Sequence, residues 1–190
     1  MEDFAAKLLT QKQFRLEKSG AYLFNERISL LPAYSFIQLQ KQLIRHGESF
    51  ISYNVFKKMS FRWVKNFKNM FKVEGRELAV WARDVSVISG WGTSRFEEED
   101  WTNYNFKVEL DSSPIPETII LEEGFTEKPV DHMFRGIAAG GLSAITGKDI
   151  EAVETHCKAM GEKTCKFTLR PLEEFNLRKP FIREQLLSSP

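Results

Sequence analysis

Apolar positions along this chain follow two periods, and the switch between them marks its elements. A period of two runs through residues 150–167: Ile150, Ala152 and Glu154 alternate against Glu151, Val153 and Thr155, and Phe167 and Leu169 resume the pattern after an interruption. That predicts strand, compact loop, strand. Phe106, Val108 and Leu110 alternate with Lys107 and Glu109, predicting another strand. From Phe14, the run FRLEKSGAYLFNERISLL alternates around Ser19-Gly20 and predicts a β-hairpin.

Helical spacing governs most of the rest. Pro32 opens a helix at a position where its missing N–H costs nothing, with Phe36, Leu39, Leu43 and Ile44 as the apolar face and Gly47 as the stop. A long helix follows over about 49–73, carrying Phe56, Met59, Ser60, Trp63, Phe67 and Met70 at three- and four-residue steps. Gly75 breaks it, and Leu78, Trp81, Val85 and Ile88 mark a third helix. Pro129 opens a helix through Thr146, stopped by Gly147, with Gly136, Gly140 and Ala144 along one side. Such a stripe admits close approach of a flat ligand or a backbone, and packing on the sheet is the simpler reading. Residues 3–9 predict a short amphipathic helix or arm, 90–101 a loop, and 171–190 a docking helix or linker, while 119–121 is too short to assign. The sum is an α+β fold: an antiparallel sheet of about four or five strands packed with helices.

Composition narrows the partners more than the fold. At 190 residues the chain suits one domain with a full core, and 16 Phe and 4 Trp point to broad, flat apolar walls. A net charge of +1 argues against nucleic acid or an anionic membrane as a direct partner. The long helix has a basic face (Lys57, Lys58, Arg62, Lys65, Lys68, Lys72), for which simple solvation is the plainer reading. No apolar run approaches the ~20 residues of a spanning helix. The first residues do not resemble a signal peptide, so a reducing cytoplasm is expected. No P-loop, nucleophile elbow or dinucleotide fingerprint occurs, and no acid–base pair suggests an enzyme.

The interruption inside 150–167 carries the candidate chemistry. It begins with Cys157, ends with Cys165, turns at Gly161 and has Glu154 at its mouth. Thiolate and carboxylate are both zinc ligands, yet two cysteines are too few for a self-contained site. Two buried reduced thiols, or a cross-strand disulfide, are the competing readings.

The pattern E-x-x-C-x₃-G-x₃-C, formed by Glu154, Cys157, Gly161 and Cys165, resembles the signature of the 4-vinyl reductase domain. That domain is also the sensor half of phenol- and xylene-responsive transcriptional activators, and it is akin in fold to subunits of the TRAPP tethering complex. The run PVDHMFRGIAAGGLSAITGKDI resembles the helix preceding the signature, and the stretch from Gly20 resembles the opening of the sensors, which belongs to their dimer-forming part. The resemblance implies a zinc ion on Glu154, Cys157 and Cys165. The sensors' remaining zinc cysteine is replaced here by Asp131, a harder ligand, with His132 and then His156 as the other candidates to close the site.

Leu110 falls where the sensors place a tryptophan of the phenol pocket, which removes a polar N–H and widens the site. The expectation is a hydrophobic or aromatic ligand larger or more apolar than phenol. Its cavity would be bounded by Leu110, Gly136 and Gly140 and roofed by Trp91, Phe96 or Trp101, with Arg135 at the rim to meet an acidic end. The expected organisation is a dimerising part (1–48), a ligand-binding domain (49–170) and a tail (171–190) leading to an effector domain. A homodimer is expected from Tyr22, Phe24, Ile28 and Leu30, which exceed what one thin layer buries. Two other classes stay open: an accessory protein of tetrapyrrole reduction, and a protein-interaction module like the tethering subunits.

Overall fold

Two turns that demand left-handed backbone shape the start of the chain in the computed structural model, which describes residues 13–29 and 31–187. Strands β1 (Phe14–Glu17), β2 (Gly20–Leu23) and β3 (Glu26–Ile28) form an antiparallel meander with registers Glu17↔Gly20 and Leu23↔Glu26. The hairpin expected from Ser19-Gly20 is present, and a third strand extends it. Its second turn is Phe24-Asn25, with φ of 50° and 64°, the two positive values that a two-residue hairpin loop prefers. Asn tolerates that conformation; a phenylalanine there costs of order 1 kcal/mol. The cost is offset by burial, since the Phe24 ring is 3% exposed and meets Trp63, Phe67 and Phe71 edge-on. The predicted arm over 3–9 and Leu30 lie outside the described residues.

Helices α1 (Ala33–Arg45), α2 (Ser49–Phe71) and α3 (Gly75–Ile88) follow. Lys72 takes the left-handed C-cap conformation that ends α2. The expected apolar face of α1 is only partly used: Leu39 and Ile44 are exposed, while Ile37, Gln40 and Lys41 are buried. Polar anchoring decides this. The Gln40 amide donates to the Val130 carbonyl and accepts from the Met133 N–H, while Lys41 pairs with Glu122 and Glu123 at 2.6 and 2.7 Å.

The main sheet is antiparallel with order β4-β5-β7-β6: β4 (Ser94–Asp100), β5 (Asn105–Leu110), β6 (Ile150–His156) and β7 (Cys165–Pro171). Strand β4 corrects the expectation of a loop there. Its acidic run is an edge strand whose carboxylates meet cations from elsewhere: Glu98 with Lys107 at 2.7 Å, Glu99 with Arg76 at 2.8 Å, Glu97 with Lys166. Between β5 and β6 come α4 (Pro114–Glu123), which the sequence left unassigned, and α5 (His132–Thr146). Helix α5 starts later than Pro129, because Asp131 is its N-cap and accepts from the Phe134 N–H. The tail ends in α6 (Pro180–Leu186). Among the described residues these make seven strands in two antiparallel sheets and six helices, the mixed fold expected.

Helix α5 is the axis of the molecule. Phe134 packs on Phe167 of the sheet, with ring centroids 5.2 Å apart. Its glycine stripe meets α2, not the sheet: a Cβ on Gly136 would lie 2.4 Å from the Tyr53 carbonyl oxygen, and one on Gly140 only 2.0 Å from that of Lys57. Only glycine lets the two helix backbones come this close.

Candidate functional site

Strand β6 delivers Glu154 inward, and the chain then leaves the sheet at Cys157. The one-turn helix Lys158–Met160 and Gly161 at φ +90° return it, and Cys165 opens β7. The turn is tied by Met160 N–H to the Cys157 carbonyl at 2.9 Å and by Lys158 N–H to the Cys165 sulfur at 3.4 Å. A carboxylate oxygen of Glu154 and the sulfurs of Cys157 and Cys165 lie within 4.8 Å of one another, all in fully buried residues. Both cysteines are free, so the cross-strand disulfide is not formed.

The surroundings concentrate unpaired polarity here. The Asp131 N–H donates to Glu154 Oε2 at 2.9 Å, leaving Glu154 Oε1 and Asp131 Oδ2 buried without a partner. Burial raises the Asp131 carboxyl to about 7, and burial with the nearby Cys157 raises Glu154 well above the usual carboxylate range. The hydrogen bond between the thiols holds Cys157 down to about 6 and pushes Cys165 up. A pocket of two carboxyls and two thiols, each shifted by the others, is what a cation would relieve. Asp131 does not join the mutual set of three. His132 is buried with Nδ1 unpartnered, and burial pushes it down to about 3; His156 is exposed and bonds Thr155 at 3.1 Å.

Arg135 lies next to this corner, away from any cavity rim. It is 1% exposed, and its guanidinium sits 4.2 Å over the Tyr53 ring. Nη1 donates to the main-chain oxygen of Gln185 at 2.7 Å and to its side-chain oxygen at 3.1 Å. Gln185, on α6, also works on β6: its amide accepts from the Glu154 N–H at 2.9 Å and donates to the Glu154 carbonyl at 3.0 Å. One side chain thus completes the open edge of the strand that carries Glu154. Sequence reasoning missed Gln185; its only signal is a polar residue at the end of a short apolar stripe.

A cavity of about 900 Å³ lies on the other side of α5, between the meander, α1–α3 and the β4–β5 half of the sheet. Trp91 and Phe96 line it, as the sequence suggested, together with Phe56, Trp63, Ile137 and Ala138. The remaining expected lining residues are elsewhere. Leu110 is wholly buried in the core, Trp101 stacks edge-on against Phe106 at 5.0 Å, and Gly136 and Gly140 are filled by the α2 backbone. The α3 wall, where Ala79, Ala82 and Ser86 are small, was missed.

A four-stranded antiparallel sheet closed by a glycine-faced helix, with the Glu154–Cys157–Cys165 corner beneath it, defines the class: the chain carries a 4-vinyl reductase domain, the family matched over residues 117–171, from α4 to the end of β7. Among individual proteins, it is 31% identical over 88 residues to the phenol regulator MopR of Acinetobacter guillouiae. That match takes in 46% of this chain and 14% of the regulator, so the chain spans a small part of that relative's length. The crystal structure of the phenol-responsive sensory domain of the transcription activator PoxR superposes with a TM-score of 0.77 at 20% identity, covering 100% of this chain and 98% of that one. A vinyl-4-reductase family protein from Methanocaldococcus jannaschii gives 0.53 at 16% identity, over 75% and 83% of the two chains. Trafficking protein particle complex subunit 3 from Naegleria fowleri, solved covalently bound to palmitic acid, gives 0.56 at 13% identity, over 73% and 91%. These likenesses establish the fold.

Proposed function

We propose that this chain is a sensor domain that binds one small, largely apolar molecule in the cavity beside α5 and passes its occupancy to an effector that controls transcription. The observation that carries the reading is the cavity itself. Its size, about 900 Å³, is at the upper end of ordinary ligand pockets, about 300–1,000 Å³, and its walls are mostly aromatic and aliphatic. That suits a body larger than one phenol ring, as does Leu110 standing where the sensors' tryptophan is expected. The phenol-responsive relatives support sensing as the role.

We also propose a structural zinc at the corner. Bonds of about 2.0–2.3 Å suit one carboxylate oxygen and two thiolates that already lie within 4.8 Å of one another. The unpartnered Glu154 Oε1 and Asp131 Oδ2 fit an ion better than an empty pocket, and Asp131 is the first candidate to close the set. Bound there, zinc supplies a cross-link and no chemistry of its own. Glu154 and the two cysteines hold the β6–β7 turn, and the Asp131 N–H on Glu154 ties that turn to the start of α5. A homodimer in a reducing cytoplasm remains part of the reading. Its support has shifted from Phe24, which is buried within the chain, to exposed apolar side chains such as Tyr34 and Leu39 on α1.

A protein-interaction module with a permanently held acyl chain is the second reading, favoured by the cavity's volume and by the palmitate-bound trafficking subunit of like fold. Binding of a neutral apolar dye, N-phenyl-1-naphthylamine, separates the two. Sensing predicts saturable, reversible binding near one dye per chain, lost in Ala138→Phe, which fills the cavity wall. A chain that takes up no dye until a tightly held lipid is extracted would contradict it.

A further inference from the structure

Resting on that reading, we infer that Ser86 is the polar anchor of the cavity and that the ligand carries a single uncharged hydrogen-bonding group, a hydroxyl or carbonyl, on an apolar body. Ala79, Ala82 and Ser86 line the cavity from α3 at helical steps of three and four, so they share one face. Their small size leaves the room that the larger faces of α2 and α5 do not fill. Within that face, the Ser86 hydroxyl oxygen is buried and has no hydrogen-bond partner.

The other helical hydroxyls show what is unusual. Ser143 donates to the Ala139 carbonyl at 2.8 Å, Thr146 to Leu142 at 2.7 Å and Ser52 to Ser49 at 2.7 Å, each satisfied by its own helix. Ser60, also on the cavity wall, donates across to the Ile137 carbonyl at 2.8 Å. Among the described cavity-lining residues, Ser86 alone has a buried side-chain polar atom with no partner. A buried orphan hydroxyl is unfavourable, and a ligand oxygen placed against it removes the penalty only when bound.

Charge on the same wall decides against an ionised ligand. Arg83 is held by Asp84 at 3.1 Å, Arg95 by Asp111 at 2.7 Å and by Glu109, and Arg27 is exposed to solvent. A carboxylate buried against a lone serine would lack the compensation it needs. A neutral hydroxyl or carbonyl does not.

Displacement of N-phenyl-1-naphthylamine by 4-phenylphenol and by biphenyl tests the anchor, on the wild-type chain and on Ser86→Ala. The wild type is expected to prefer 4-phenylphenol by about tenfold, the effect of one net hydrogen bond. Ser86→Ala should bind the two probes equally and keep the wild-type affinity for biphenyl. The ligand-free variant should also melt at a higher temperature than the wild type, because an unsatisfied buried hydroxyl is gone. A preference for 4-phenylphenol that survives in Ser86→Ala, with the dye still bound, overturns the anchor and leaves the cavity reading standing. Failure of the dye to bind the wild type overturns both.

Discussion

The two sides of α5 are built in opposite ways. On the side of β6, every group is held: Asp131 caps the helix and bonds Glu154, Arg135 is gripped by Tyr53 and Gln185, and the two sulfurs share a hydrogen bond. On the side of α3, aromatic and aliphatic walls face about 900 Å³ of space with one orphan hydroxyl. The first arrangement fixes the geometry of helix and sheet. The second leaves interaction energy unspent until a ligand arrives. A sensor needs both, because a movable helix without a fixed reference transmits nothing.

Substitutions on the two sides should therefore differ in kind as well as in size. The largest effect belongs to Gly140→Ala, whose Cβ would meet the Lys57 carbonyl oxygen at 2.0 Å. Forcing α2 and α5 apart should destabilise by about 3 kcal/mol or more, well beyond the helix propensity gained. The neighbouring Gly141 lines the cavity, and its nearest atoms would be Ser60 Oγ at 3.5 Å and Val64 Cγ2 at 3.8 Å. Gly141→Ala should be neutral or stabilising by up to about 1 kcal/mol. Urea denaturation of the two variants gives opposite signs if the comparison is right, and like signs if both glycines serve only the helix packing.

Next comes the corner. Cys157→Ser should abolish stoichiometric zinc and lower the melting temperature, with a loss of up to about 4 kcal/mol where zinc exceeds its dissociation constant a thousandfold. Chelator should lower the wild type to the level of the variant and leave the variant unmoved. Zinc analysis with thermal melts reads both; a chelator-insensitive wild type with titratable thiols would make the cysteines plain core residues. Cavity ligands should raise the melting temperature of both chains, since the two sides act separately.

How far these sides could be read from sequence differs for the same physical reason. The corner was legible because its parts are local: a period of two, a glycine where the chain reverses, and ligands three and eight residues apart. Residues whose partners are distant were misplaced. Gly136 and Gly140 read as small, but which surface they meet depends on α2, some eighty residues earlier. Strand β4 read as an acidic loop because the cations that pair it, Arg76, Lys107 and Lys166, come from other elements. Arg135 read as a rim cation because Gln185, its partner, is fifty residues away. Ser86 gave no signal at all, since an orphan is defined by what fails to surround it.

The smallest expected effect tests the link between corner and tail. Gln185→Ala removes two bonds to the Glu154 backbone and one from Arg135 through its side chain. At about 1 kcal/mol each when partly buried, the loss should be about 2 kcal/mol. Hydrogen exchange should show faster amides in 180–187 and at Glu154, with the cavity helices unchanged. Uniformly faster exchange would mean that the tail supports the whole core.

The central claim is that the space beside α5 is a ligand site, and native mass spectrometry of the chain purified without detergent or chelator addresses it most directly. The account predicts a 22.0 kDa subunit that carries zinc and takes up one added apolar molecule with a hydroxyl or carbonyl group. Ala138→Phe should keep the zinc and lose that molecule. Wild type and Ala138→Phe binding the molecule equally, or neither binding it while both keep zinc, would contradict the account.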